Sequence, residues 1–130
     1  MRSAIRLAAI SLLLGLGAAP AIAADLASPV GSWQSSDGKA RVKVTLCGDG
    51  TQLCAELTGL GGDAKTAKNQ QLLHTYVVEG AQQDAANHWQ GKVRFNGQTA
   101  MGDIRLMSSD TITLSGCQLG MCKSFEFKRL

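Results

Sequence analysis

The chain has 130 residues and a formal net charge of +3, with four cysteines and 15 glycines. This length suits one domain, large enough to fold on its own core but small enough to gain from covalent staples. Arg2 and Arg6 both fall in an N-terminal export-like segment, so the remainder is near neutral at about +1 (eleven basic against ten acidic side chains), which removes any charge-based case for nucleic-acid binding.

In chain order, Arg2 and Arg6 supply a positive start and residues 7–19 an uncharged apolar run. Ala21-Ile22-Ala23 then supplies small residues for cleavage. Residues 1–23 thus read as a signal peptide removed before Ala24 or Asp25. The apolar run is shorter than the roughly 20 residues a transmembrane helix needs, and no second such run follows. The expected location is therefore periplasmic or secreted, without a transmembrane segment. Residues 24–30 form a short lead-in ending in Ser28-Pro29-Val30, and one domain is expected over residues 31–130.

The domain opens on Gly31-Ser32-Trp33, and Asp37-Gly38 marks a turn. From Arg41 the pattern alternates: Val42, Val44 and Leu46 share one face, and Arg41, Lys43 and Thr45 the other. Gly48-Asp49-Gly50 turns the chain, and the return strand places Leu53, Ala55 and Leu57 on one face. Period-two alternation of this kind predicts strands with one buried face. Residues 61–71 read as a polar surface loop with at most one helical turn, residues 75–79 as a β-branched strand, and residues 80–87 as a second polar connection. Trp89, Gly91, Val93 and Phe95 then face inward, and Asn96-Gly97 is a strong hairpin signal. Ala100, Gly102, Ile104 and Leu106 follow on the inner face, then Ile112 and Leu114, and finally Phe125, Phe127 and Arg129 on one face of the last run. About eight short, hairpin-linked antiparallel strands close most economically into an up-and-down β-barrel, which removes exposed edges; a sandwich is the alternative.

Each cysteine pair flanks a turn between antiparallel neighbours. The expected disulfides are therefore local, Cys47–Cys54 and Cys117–Cys122, out of three possible pairings. Zinc is the rival use of four cysteines, but the spacings do not form matched short pairs and an oxidising compartment disfavours thiolates, so no metal is expected.

Arg129 shares a face with residues that should be buried, and a charge there needs a partner or an aromatic ring. Trp33 is available if the first and last strands are neighbours. Gly31-x-Trp33 with a C-terminal arginine resembles the structural signature of lipocalins and their calycin relatives. With Leu46-Cys47-Gly48, Leu53-Cys54, Asp63 with Asn69, Trp89-x-Gly91, Leu114-Ser115-Gly116-Cys117 to Cys122 and Phe127-Lys128-Arg129 added in order, the chain resembles the bacterial family named domain of unknown function 2147, in its cysteine-containing form. That resemblance implies an exported calycin-like barrel and no established reaction. Departures are the longer first cysteine bracket, Ala55 where a glycine is common, Asn96-Gly97 in place of a longer Asn-Pro…Gly…Tyr stretch, and Phe127 in place of a tryptophan.

His74 and His88 are, by residue type, the only general-base candidates for chemistry near neutral pH. Neither lies in a metal spacing or beside a nucleophile elbow, there is no phosphate-binding or dinucleotide glycine motif, and Arg41, Lys43, Lys92, Arg94 and Arg105 are interspersed with Glu56 and Asp103. These features predict a protein that is not an enzyme, holds no cofactor and has an ordinary solvated outer face. Two roles remain. One is binding of a small hydrophobic or amphipathic ligand in the barrel interior, with Val42, Val44, Leu57, Trp89, Val93, Gly102 and Ile104 as candidate lining residues and the small Gly91, Ala100 and Gly102 leaving room. The other is an envelope structural or protein-interaction domain with a filled barrel.

Overall fold

Alternating sequence becomes a closed sheet. The computed structural model describes Gly15 and residues 28–130 apart from Asn96, and of Phe95 only the backbone. The expected signal segment therefore lies outside the described residues except at Gly15. Eight strands follow one another: β1 (Gly31–Ser35), β2 (Ala40–Cys47), β3 (Gln52–Leu60), β4 (Tyr76–Ala85), β5 (His88–Phe95), β6 (Gln98–Ser108), β7 (Thr111–Gln118) and β8 (Met121–Arg129). Between β3 and β4 lie a 3₁₀ turn, Gly62–Ala64, and a single-turn helix, α1 (Ala67–Gln70), whose N-cap Thr66 accepts from the Asn69 amide. Each strand pairs antiparallel with the next, and β8 returns to β1, so the sheet is a closed barrel in sequence order.

The inward positions behave as the alternation requires. Val42, Val44, Leu53, Ala55, Leu57, Val78, Ala81, Trp89, Val93, Ile104, Leu106 and Ile112 form the buried cluster with Trp33. Each large side chain taken out of water there stabilises the fold by roughly 1.5–3 kcal/mol. Both disulfides form, Cys47–Cys54 and Cys117–Cys122, and all four cysteines are used.

Three local features differ from expectation. β4 continues to Ala85 through residues expected to be a connection. Gln82 and Gln83 pair with Gln90 and Trp89 across register shifts, so backbone pairing holds a polar overhang that buries only Ala81. Leu46 shares the inner phase of β2 but is 40% exposed, because β2 runs past the core there. Phe125 is likewise part-exposed near the opposite rim.

The connections sort onto two ends. One end, the mouth, carries the turns at 36–39, Gly97 and 119–120 and the long loop 61–75. The other, the base, carries the turns at 48–51, 86–87 and 109–110, the lead-in 28–30 and Leu130. The base is sealed. Trp33 is fully buried, pairs with Arg129 across the β1–β8 seam and donates its indole N–H to the Pro29 carbonyl at 2.9 Å. The Arg129 guanidinium carbon lies 4.3 Å from the Trp33 ring centroid, a cation–π geometry. The same guanidinium donates to the carbonyls of Ser109, Val30 and Ser28 at 2.7, 2.9 and 2.7 Å. Gly31 has φ +148, and a Cβ there would come 2.7 Å from Arg129 Nη1; this is the physical reason a glycine precedes the tryptophan by two. Trp89 closes the rest of the base, donating to the Thr51 carbonyl at 2.9 Å.

Candidate functional site: an apolar pocket at the barrel mouth

The interior divides into a packed half and an open half. Toward the base a residual space of about 30 Å³ is lined only by apolar side chains, among them Trp33, Val44, Leu53, Ala55, Ile104 and Ile112. A water there would find none of the polar partners it needs. Toward the mouth lies a cavity of about 260 Å³. Val42, Val77, Leu114 and Phe127 line both spaces and so form the floor between them. Leu57, Leu60, Val93 and Phe125 make the wall, Ala64, Asn69 and Leu72 come from the long loop, and Ser35, Asp37, Lys39 and Arg94 make a polar rim.

Local chemistry holds that rim in place. Ser35 donates to Asp37 Oδ1 at 2.6 Å and accepts from the Ala40 amide at 3.0 Å, while the Lys39 amide also donates to Asp37 at 3.0 Å. The Ser35 hydroxyl, then the Lys39 amide, hold the Asp37 carboxyl below its ordinary pKa. The Gly61 amide donates to the Lys39 carbonyl at 2.9 Å. A Cβ at Gly61 would overlap the Gly38 carbonyl oxygen, so the loop reaches the turn only because residue 61 is glycine. Lys39 Nζ stands 3.2 Å from Asp63, and Asn69 Nδ2 donates to the Ala64 carbonyl at 2.9 Å, folding the loop on itself. Arg94 faces Glu79 at 3.9 Å on the outer side. The result is an apolar pocket with a mixed rim, where the Asp37 carboxylate stands beside Lys39 and Arg94, whose charges are met by Asp63 and Glu79.

Of the seven candidate lining residues, Val42, Leu57 and Val93 border the mouth cavity, and Val44 and Ile104 border the small space below. Trp89 and Gly102 border neither. Trp89 plugs the base, and a Cβ on Gly102 would overlap Val93 Cγ2, so Val93 already fills the space that glycine leaves. Gly91 is similarly occupied, with Ala81 Cα 2.7 Å from where its Cβ would stand. The small-residue row is close packing, not room for a ligand. Sequence reasoning missed the rim residues Asp37 and Lys39 and the loop contribution of Leu60, Ala64 and Leu72; the Asp37-Gly38 turn and the apolar Leu72-Leu73 pair were the available signals.

The histidines stand apart from the pocket. His74, at φ +66, places Nδ1 3.3 Å from Glu56. His88 lies between two carboxylates, Nδ1 against Asp84 and Nε2 2.7 Å from Asp103. Gln90 also donates to Asp103 at 2.9 Å, and that bond, ahead of His88, lowers the Asp103 pKa. The two nitrogens point to opposite sides, so these three groups do not converge on one point.

A closed antiparallel eight-strand barrel with one sealed end, a tryptophan–arginine clasp and one open apolar mouth defines a calycin-like protein. The chain belongs to the family described as "Uncharacterized protein conserved in bacteria (DUF2147)", whose model matches residues 31–129. No curated protein and no solved structure matches the chain.

Proposed function

We propose that this is an exported binding protein that takes the apolar end of a small amphipathic molecule into the barrel mouth. The observation that carries the reading is the cavity of about 260 Å³, apolar at its floor and walls and bordered by Lys39 and Arg94. Pockets of this kind bind by apolar contact and orient by a few polar groups. The volume exceeds the roughly 150 Å³ of an apolar cavity that accepts benzene. It therefore suits a short acyl or aromatic group with a polar head held at the rim, rather than a whole long-chain lipid. In this reading the protein acts by binding, and the Ser35 hydroxyl at the rim serves the turn through Asp37 and the Ala40 amide. Export through cleavage of residues 1–23 fits the two disulfides, and N-terminal sequencing of the protein recovered from outside the cytoplasm checks it.

Fluorescence titration with anilinonaphthalene sulfonate, an anionic amphipathic probe, tests the pocket. Saturable binding is expected in the wild type. Leu60→Trp, at the part-buried wall, should fill the mouth and abolish probe binding with the melting temperature kept. Wild-type protein that binds no probe and carries no ligand in native mass spectrometry would overturn this reading in favour of an envelope interaction domain.

A further inference from the structure

Leu119 is 97% exposed, and its backbone lies at φ +51 beside Gly120 at φ +77. Positive φ at both central residues is the arrangement of a type I′ hairpin turn, which favours asparagine, aspartate or glycine at its first position. A leucine there meets the steric penalty of the left-handed region. At other hairpin turns the positive-φ residue is asparagine or glycine, as at Asn87, Gly38, Gly48 and Gly97. Folding therefore does not ask for leucine at 119, and an exposed residue held in a disfavoured conformation points to function.

The neighbours extend the feature. Met121, the first residue of β8, is 72% exposed. The Cys117–Cys122 disulfide closes the hairpin directly behind the tip, so the apolar side chains are carried on a stapled finger. Charge at the two ends of the barrel also differs. The mouth connections carry Lys39, Lys65 and Lys68 against Asp37 and Asp63, with Lys123 just behind the finger, whereas the base turns carry Asp49 and Asp110 and the cation there, Arg129, is held over Trp33. Among the described residues, Lys65, Lys68 and Lys123 make no ion pair.

We infer that the β7–β8 finger docks the mouth end on an anionic lipid bilayer, with Leu119 and Met121 entering the acyl-chain boundary and Lys65, Lys68 and Lys123 meeting lipid phosphates. A projecting tip buries little area against a folded partner, for which a stable interface needs about 1,200 Å² or more. A fluid interface moulds around it. Two apolar side chains alone bind weakly, so the cations make docking selective for anionic lipid. The inference stands on the hairpin and the charge distribution, and its test uses no pocket ligand.

The experiment is co-sedimentation of the exported protein with vesicles of mixed phosphatidylglycerol and phosphatidylcholine, against vesicles of phosphatidylcholine alone. Binding is expected to the mixed vesicles only and to fall with added salt. Leu119→Asn with Met121→Ser should weaken it about tenfold or more with no loss of melting temperature, because asparagine suits the turn. Leu119→Gly is a second variant that the turn accepts. Lys65→Glu with Lys68→Glu should weaken binding to the mixed vesicles and leave the fold intact. Wild-type protein that ignores the mixed vesicles, or a folded Leu119 variant that binds them as well as wild type, overturns the inference. So does a wild-type dimer that Leu119→Asn converts to monomer without any vesicle binding, which would assign the finger to contact between copies.

Discussion

Trp33 and Arg129 act as one unit, and each depends on the other's position. Removing the indole would open a hole at the sealed base and leave the guanidinium over it, so Trp33→Ala should destabilise by roughly 3–5 kcal/mol in urea denaturation. Arg129→Ala removes three hydrogen bonds to backbone carbonyls, and Arg129→Lys keeps the charge but loses the planar fork that makes them. The double variant Trp33→Ala/Arg129→Ala should lose less than the sum of the single losses; strict additivity would mean the two side chains do not interact. Gly102 carries a separate expectation. Because Val93 occupies the space over it, Gly102→Val should cost roughly 1–3 kcal/mol by overpacking with probe binding at the mouth retained. Loss of binding at unchanged stability would place open space at Gly102 after all.

Turns show how much a few polar atoms can fix. Asp37, Asp49 and Asp110 each accept a hydroxyl bond from a neighbour, Ser35, Thr51 and Ser108 respectively, and each carboxyl is held below its ordinary pKa mainly for that reason. A depressed folded-state pKa stabilises above the unfolded value of about 3.9, and the contribution is lost as pH falls through the lower folded value. Melting temperature should therefore drop on acidification below about pH 4, and Asp37→Asn should be less stable at neutral pH and show a shallower acid dependence. An Asp37→Asn profile parallel to wild type would mean the turn does not couple to folding. Much of this architecture was legible beforehand, because alternation at Arg41–Leu46, His88–Phe95 and Thr111–Ser115 and the turn residues between strands report directly on face and direction. Alternation does not report depth along the barrel axis. Val93, Trp89 and Gly102 all read as inward, yet Val93 borders the mouth cavity, Trp89 seals the base and Gly102 lies beneath Val93. The second half of β4 was hidden for the opposite reason: Gln82 and Gln83 pair through backbone groups that leave no apolar signature. The pocket rim was hidden because Leu72 reaches it on a long loop that meets the Asp37–Lys39 turn only through the close approach at Gly61.

At the scale of the molecule, closure separates two tasks along one axis. Stability concentrates at the base, where two tryptophans and the arginine clasp exclude solvent. The mouth keeps open apolar volume and a projecting hairpin. One disulfide serves each end: Cys47–Cys54 staples β2 to β3 at the base, and Cys117–Cys122 staples β7 to β8 at the mouth. The mouth can therefore change without touching the clasp.

The β1–β8 seam has a mechanical meaning. It is joined by three register pairs, Trp33↔Arg129, Gln34↔Lys128 and Ser35↔Phe127, whereas β7 and β8 share eight. Residues 28 and 130 both lie at the base, so tension applied between them pulls across the seam rather than along it. Its hydrogen bonds would then break in succession, like a zip, instead of sharing the load. The ring should yield first at the Arg129 contacts to Ser28 and Val30 and peel open at low force in an optical-trap experiment, while the same pull applied across the two ends of β7 should meet far greater resistance. Pulled from residues 28 and 130, the barrel is built to unroll.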